Sequence, residues 1–93
     1  MIDDIIDEIK TEFAYATYKF PEWPTDPIHA AMVVAEESGE LMKAVLQQCY
    51  EPHKTSMDEV RMEAIQTATT AIRFLISLNN YKFDKSEQHV QNN

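Results

Sequence analysis

Apolar residues recur at helical intervals along most of the chain. Ile2, Ile5, Ile6, Ile9 and Phe13 form a stripe with the three- and four-residue spacing of one helix face. Asp3, Asp4, Asp7 and Glu8 stand near its start, where the helix dipole favours acids. The pattern predicts a helix over about 2–18 that stops before Pro21. Residues 20–27, FPEWPTDP, then carry three prolines, which neither a helix nor a central strand accepts. Asp26-Pro27 is a helix start, an N-cap acceptor followed by a proline at the first helical position. From there Ile28, Met32, Ala35, Leu41, Met42 and Val45 supply an apolar side to a second helix over about 27–49. Gly39 in its middle either permits a close helix approach or leaves space for a ligand.

A second connector, YEPHKT at 50–55, contains Pro52. Ser56-Met57-Asp58-Glu59 matches a capping box, with a hydroxyl at the cap and a Glu three residues on. The third helix is predicted over about 57–79. Val60, Ala64, Ala68, Ala71 and Leu75 fall on one side, with Ile65, Ile72 and Ile76 close by. The small Ala64, Ala68 and Ala71 suggest a close crossing with another helix, and Asn79-Asn80 are expected to close it in a left-handed turn. After Phe83 the sequence is polar and patternless. The expectation is all-α: one helical domain over 1–83 and a flexible tail over 84–93. Three helices with short connectors do not close a four-helix core alone, so a homodimer or homotetramer is expected to complete the bundle.

Composition sharpens this picture. A chain of 93 residues buries only roughly 60–65% of its unfolded surface, which leaves a thin core. The formal net charge is −8, so nucleic acid and anionic membrane surfaces are excluded as partners on charge grounds. No apolar run reaches the roughly 20 residues that a membrane span needs. Cys49 stands alone, so no internal disulfide forms. The acidic start Met1-Ile2-Asp3-Asp4 is opposite in character to a signal peptide. Together these predict a cytoplasmic protein.

The chemistry concentrates in two acidic clusters. Glu36, Glu37 and Glu40 share one sector of the second helix, since residues three and four apart lie within about 60° of each other around the axis. Glu59, Glu63 and Gln66 repeat the spacing on the third helix. Two antiparallel helices bring such sectors face to face. Hard oxygen donors at this spacing suit Mg²⁺ or Mn²⁺; the same spacing also suits a solvated acidic face. Other site chemistries fit poorly. No histidine stands in either cluster, one cysteine builds no zinc site, and there is no glycine-rich phosphate loop.

Residues 20–76 resemble the MazG-like all-α nucleotide pyrophosphohydrolases, a group related to dimeric dUTPases and phosphoribosyl-ATP pyrophosphohydrolase. Such families carry an E-x-x-E pair on one helix and an E-x-x-D pair on the next. Glu37-Ser38-Gly39-Glu40 matches the first pair, within a helix ending HAAMVVAEESGELMKAVLQ. Glu63-Ala64-Ile65-Gln66 falls where the second belongs, with Gln66 in place of the family's Asp. The amide still offers an oxygen, but the site loses one negative charge.

The resemblance implies a Mg²⁺-dependent hydrolysis of a nucleoside triphosphate to monophosphate and pyrophosphate, a reaction suited to cleansing nucleotide pools. It implies Glu37, Glu40 and Glu63 as metal ligands, with Gln66 beside them and Glu59 able to substitute. Glu36 becomes the base for the attacking water or a group that orients the ligands. Trp23 reads as a stacking platform for a base or as a cap on the core. His29 is a candidate for sugar or base contact, and Lys54 and Lys82 for phosphate; each also reads as an ordinary surface or structural residue. The competing function is a non-catalytic helical module that binds a nucleotide or a protein through a degenerate metal site.

Overall fold

The computed structural model describes residues 1–84. Among them there is no strand; the elements are α1 (Ile2–Lys19), α2 (Pro27–Tyr50), α3 (Met57–Ile76), and single 3₁₀ turns at Pro52–Lys54 and Leu78–Asn80. No helix in this range is long and apolar enough to cross a membrane. Apart from Asp84, the tail expected over 84–93 lies outside the described residues.

The expected helix starts are made by their own side chains. Asp26 has extended backbone and accepts the His29 backbone N–H at 3.3 Å, with Pro27 following. Ser56 Oγ accepts the Glu59 N–H at 3.3 Å. The reciprocal half of the capping box is not formed, because the Glu59 carboxylate takes the Thr55 hydroxyl instead. The end of α3 differs from expectation. The helix stops at Ile76, and Asn79-Asn80 sit in a 3₁₀ turn; no described non-glycine residue has positive φ. The cause lies in Tyr81, which is buried and donates its hydroxyl to the Phe74 carbonyl at 3.3 Å. To reach that place the chain leaves the helix axis a turn early.

Helix α3 is central. It packs against α2 on one side and α1 on the other, while the α1 and α2 backbones do not pack on each other. The side of α3 that becomes buried is centred on Ile65 and Thr69; in the neighbouring row Ala68 and Ala71 are half-buried, Ala64 is exposed and Leu75 is 63% exposed. A helix held between two neighbours buries the sector that faces both. Thr69, 2% exposed, donates its hydroxyl to the Ile65 carbonyl at 2.8 Å, so its burial leaves no unpaired polar group. Ala30, Ala44 and Tyr81 complete a small core. Arg61 ties α3 to Glu8 of α1, its Nε donating at 3.0 Å, and this holds the Glu8 carboxyl below its ordinary range.

Much apolar surface stays uncovered by the chain itself. Ile28, Met32, Met42, Leu46, Leu75 and Ile76 are all exposed. Gly39 has nothing within 4 Å of where a Cβ would stand, so no helix of the protomer approaches there. Gly39→Ala is therefore expected to stabilise the chain by about 0.5–1 kcal/mol through helix propensity. Urea unfolding measures this, and a loss of stability would show that the space is needed.

Candidate functional site

Because α1 and α2 lean on α3 without packing on each other, a cleft of about 460 Å³ opens between them. Its floor is α3, through Gln66, Thr69, Thr70 and Arg73. One wall is α1, the other is α2, and the proline-rich connector closes one end. The two ends differ in chemistry.

The carboxylate end lies at the middle of α2. Glu37 and Gln66 line it, as expected from their helical positions, and Glu12 of α1 joins them. Glu37 is half-buried, and its carboxyl is pushed above its ordinary value. Desolvation is the largest cause, followed by the negative charges of Glu63, Glu40, Glu36 and Glu12 in that order. The antiparallel α2–α3 pairing thus brings the two clusters within electrostatic reach. Glu63 Oε2 is buried and has no hydrogen-bond partner. Glu36 and Glu40 are exposed. Glu59 is not among the charges acting on Glu37 and is occupied at the start of α3 by Thr55. Among the described residues, no three His, Cys, Asp or Glu side chains converge as a metal-holding group. The cluster is a set of neighbouring oxygen donors rather than a closed cage.

The other end is aromatic and cationic. The Trp23 Nε1–H donates to the Tyr81 hydroxyl at 2.5 Å. The Tyr81 ring packs on Phe74 with centroids 5.0 Å apart and on Phe83 at 5.8 Å. The Arg73 guanidinium lies over the Trp23 ring at 4.9 Å and donates from Nη2 to the Phe20 carbonyl at 2.7 Å. Lys19 stands 5.4 Å from the Phe20 ring centre and 5.7 Å from that of Tyr15. Trp23, Arg73, Lys19, Tyr15 and Phe20 all line the cleft. Trp23 therefore caps the core with one edge and lines the cleft as well.

The remaining candidates stand elsewhere. His29 is exposed and does not line the cleft; its backbone N–H serves the Asp26 cap. Lys54 pairs with Glu51 at 2.5 Å in the α2–α3 turn, about 20 Å along α2 from Glu37 by helical rise. Lys82 is exposed beyond α3, outside the cleft lining. Sequence reasoning missed Glu12, Arg73 and Tyr81. Glu12 borders Phe13 of the apolar stripe, and Tyr81 is a lone aromatic beyond a helix end. Arg73 gave no signal separating it from a surface ion-pair residue.

In comparisons with protein-family profiles, with curated proteins and with solved structures, the chain finds no match.

Proposed function

We propose that the chain is a divalent-metal-dependent nucleoside triphosphate pyrophosphohydrolase of the MazG-like kind, acting in the cytosol as a homo-oligomer. The observation that carries this reading is the state of Glu37. Its carboxyl is desolvated beside four other carboxylates, and no basic side chain is among the groups that shift it. Crowded carboxylates cost stability, and a cation among them offsets that cost.

The donor set fits a hard cation in kind: all-oxygen, mostly anionic, with one buried carboxylate oxygen unpartnered at Glu63. Glu37, Glu40 and Glu63 would hold it, with the Gln66 amide beside them. When bound, Mg²⁺ or Mn²⁺ supplies neutralisation of the phosphate chain and Lewis-acid activation of water. Glu36, exposed next to Glu37, takes the proton of the attacking water. Trp23 receives the base, and Thr69 and Thr70 form part of the floor. The number of uncovered apolar residues on α2 and α3 supports self-association, since exposed apolar surface of this kind is covered when copies associate. Sedimentation at micromolar concentration should therefore give a dimer or larger, and a stable monomer would remove that part of the proposal.

A nucleoside triphosphate panel with Mg²⁺ or Mn²⁺ tests the activity. The expected result is equal amounts of monophosphate and pyrophosphate, lost in EDTA. No pyrophosphate from any nucleotide would overturn the enzyme reading. A non-catalytic nucleotide-binding module is the second reading, favoured by the neutral Gln66 and by the lack of a converged ligand group. Nucleotide binding without turnover would select it.

A further inference from the structure

We infer that Arg73 reads the base, and that the cleft prefers guanine nucleotides. This rests on the proposal that a nucleotide occupies the cleft. The first observation is the way Arg73 is held. The Trp23 ring lies beneath its guanidinium, and the Phe20 carbonyl takes one Nη2 proton. A guanidinium carries five N–H donors. The others have no protein acceptor among the described residues. An immobilised fork with unused donors is suited to two adjacent acceptor atoms, which guanine presents at O6 and N7 and an unpaired cytosine at O2 and N3; the carboxylate of Glu22 separates these two. Adenine places an amino group where guanine has O6, which opposes a second donor.

The second observation is distance. Gln66 and Arg73 both line the cleft floor and stand seven residues apart on α3, about 10 Å by helical rise. That separation matches the length between the phosphates and the base of an extended nucleotide. With phosphates at the Glu37 end, the base falls at Trp23 and Arg73.

The third is the neighbouring carboxylate. Glu22, next to Trp23 in the connector, lines the same end. It is an acceptor for the adjacent N1–H and 2-amino group of guanine, a donor pair that neither adenine nor cytosine presents. Donors and acceptors at this end thus both suit guanine.

Trp23 is the sole tryptophan, so selectively excited tryptophan emission reports on this end alone. The test titrates the full chain with GMP, AMP, CMP and UMP in Mg²⁺; monophosphates are the products of the proposed reaction, so hydrolysis stays out of the readout. GMP should quench Trp23 emission at a concentration at least about tenfold lower than AMP, the scale of one good bidentate contact. Arg73→Lys keeps the charge but not the fork and should erase the preference. Binding of AMP or CMP as tight as that of GMP, or no binding of GMP, by the unaltered chain would overturn the inference, as would a folded Arg73→Lys protein that keeps the preference. GMP selectivity without any triphosphate hydrolysis would support this inference while defeating the enzyme proposal; hydrolysis without base preference would do the reverse.

Discussion

Replacing Glu37 with Gln should abolish pyrophosphate release, by about 10²-fold or more, while raising the thermal midpoint of the metal-free protein by about 2–5 °C. Most substitutions at buried positions destabilise, so the two opposite effects together are diagnostic. The stability gain follows from the raised carboxyl of Glu37. A group that holds its proton more tightly when folded contributes its full stability below its unfolded value, here 4.5, and loses it as pH rises through the raised folded value. At neutral pH native Glu37 is charged, desolvated and repelled by Glu63, Glu40, Glu36 and Glu12. Glutamine resembles the protonated form and escapes that repulsion. The difference in midpoint between the two proteins should therefore shrink as pH falls toward 4.5. Glu8 behaves with the opposite sign, because Arg61 lowers its carboxyl, so its contribution is lost only in acid below the ordinary range. Comparing the variant with the parent at each pH removes that background. A midpoint that falls on Glu37→Gln at pH 7 would mean that Glu37 accepts a structural hydrogen bond, and the metal reading would lose its main support.

Truncating Tyr81 to Ala should cost about 3 kcal/mol, a large fraction of the roughly 5 kcal/mol available to a domain of this size. Tyr81 is one of the few buried hydrophobic side chains. Its ring joins Phe74 and Phe83, and its hydroxyl accepts from Trp23 and donates to the Phe74 carbonyl. Tyr81→Phe keeps the rings but leaves the Trp23 indole N–H without its acceptor, so about 1 kcal/mol should be lost. Urea unfolding followed by Trp23 emission measures both. A cost below about 1 kcal/mol for Tyr81→Ala would mean that this aromatic cluster does not anchor the connector. The end of the cleft would then be loose, and the placement of Arg73 over Trp23 would lose its support.

The helices themselves were legible because their signals are local. Asp26-Pro27 and Ser56 through Glu59 mark starts through side-chain-to-backbone hydrogen bonds made within one turn, and both occur where expected. Apolar spacing located the three helices for the same reason. The end of α3 was not legible, since Asn79-Asn80 carry a local preference for a left-handed turn that the burial of Tyr81 overrides.

The site divides in the same way. That Glu36, Glu37 and Glu40 share a sector, and that Glu63 and Gln66 share another, follows from helical rise and rotation alone. That Glu63 acts on Glu37 follows once α2 and α3 run antiparallel through a short connector. Only the tertiary structure set α1 against α3 rather than against α2, and that choice opens the cleft. It brought Glu12 to the carboxylates, and the fold of the connector and of the chain after α3 set Arg73 and Tyr81 against Trp23. Sequence fixes the spacing of residues on one helix; which helices become neighbours depends on how all the apolar sectors are buried at once.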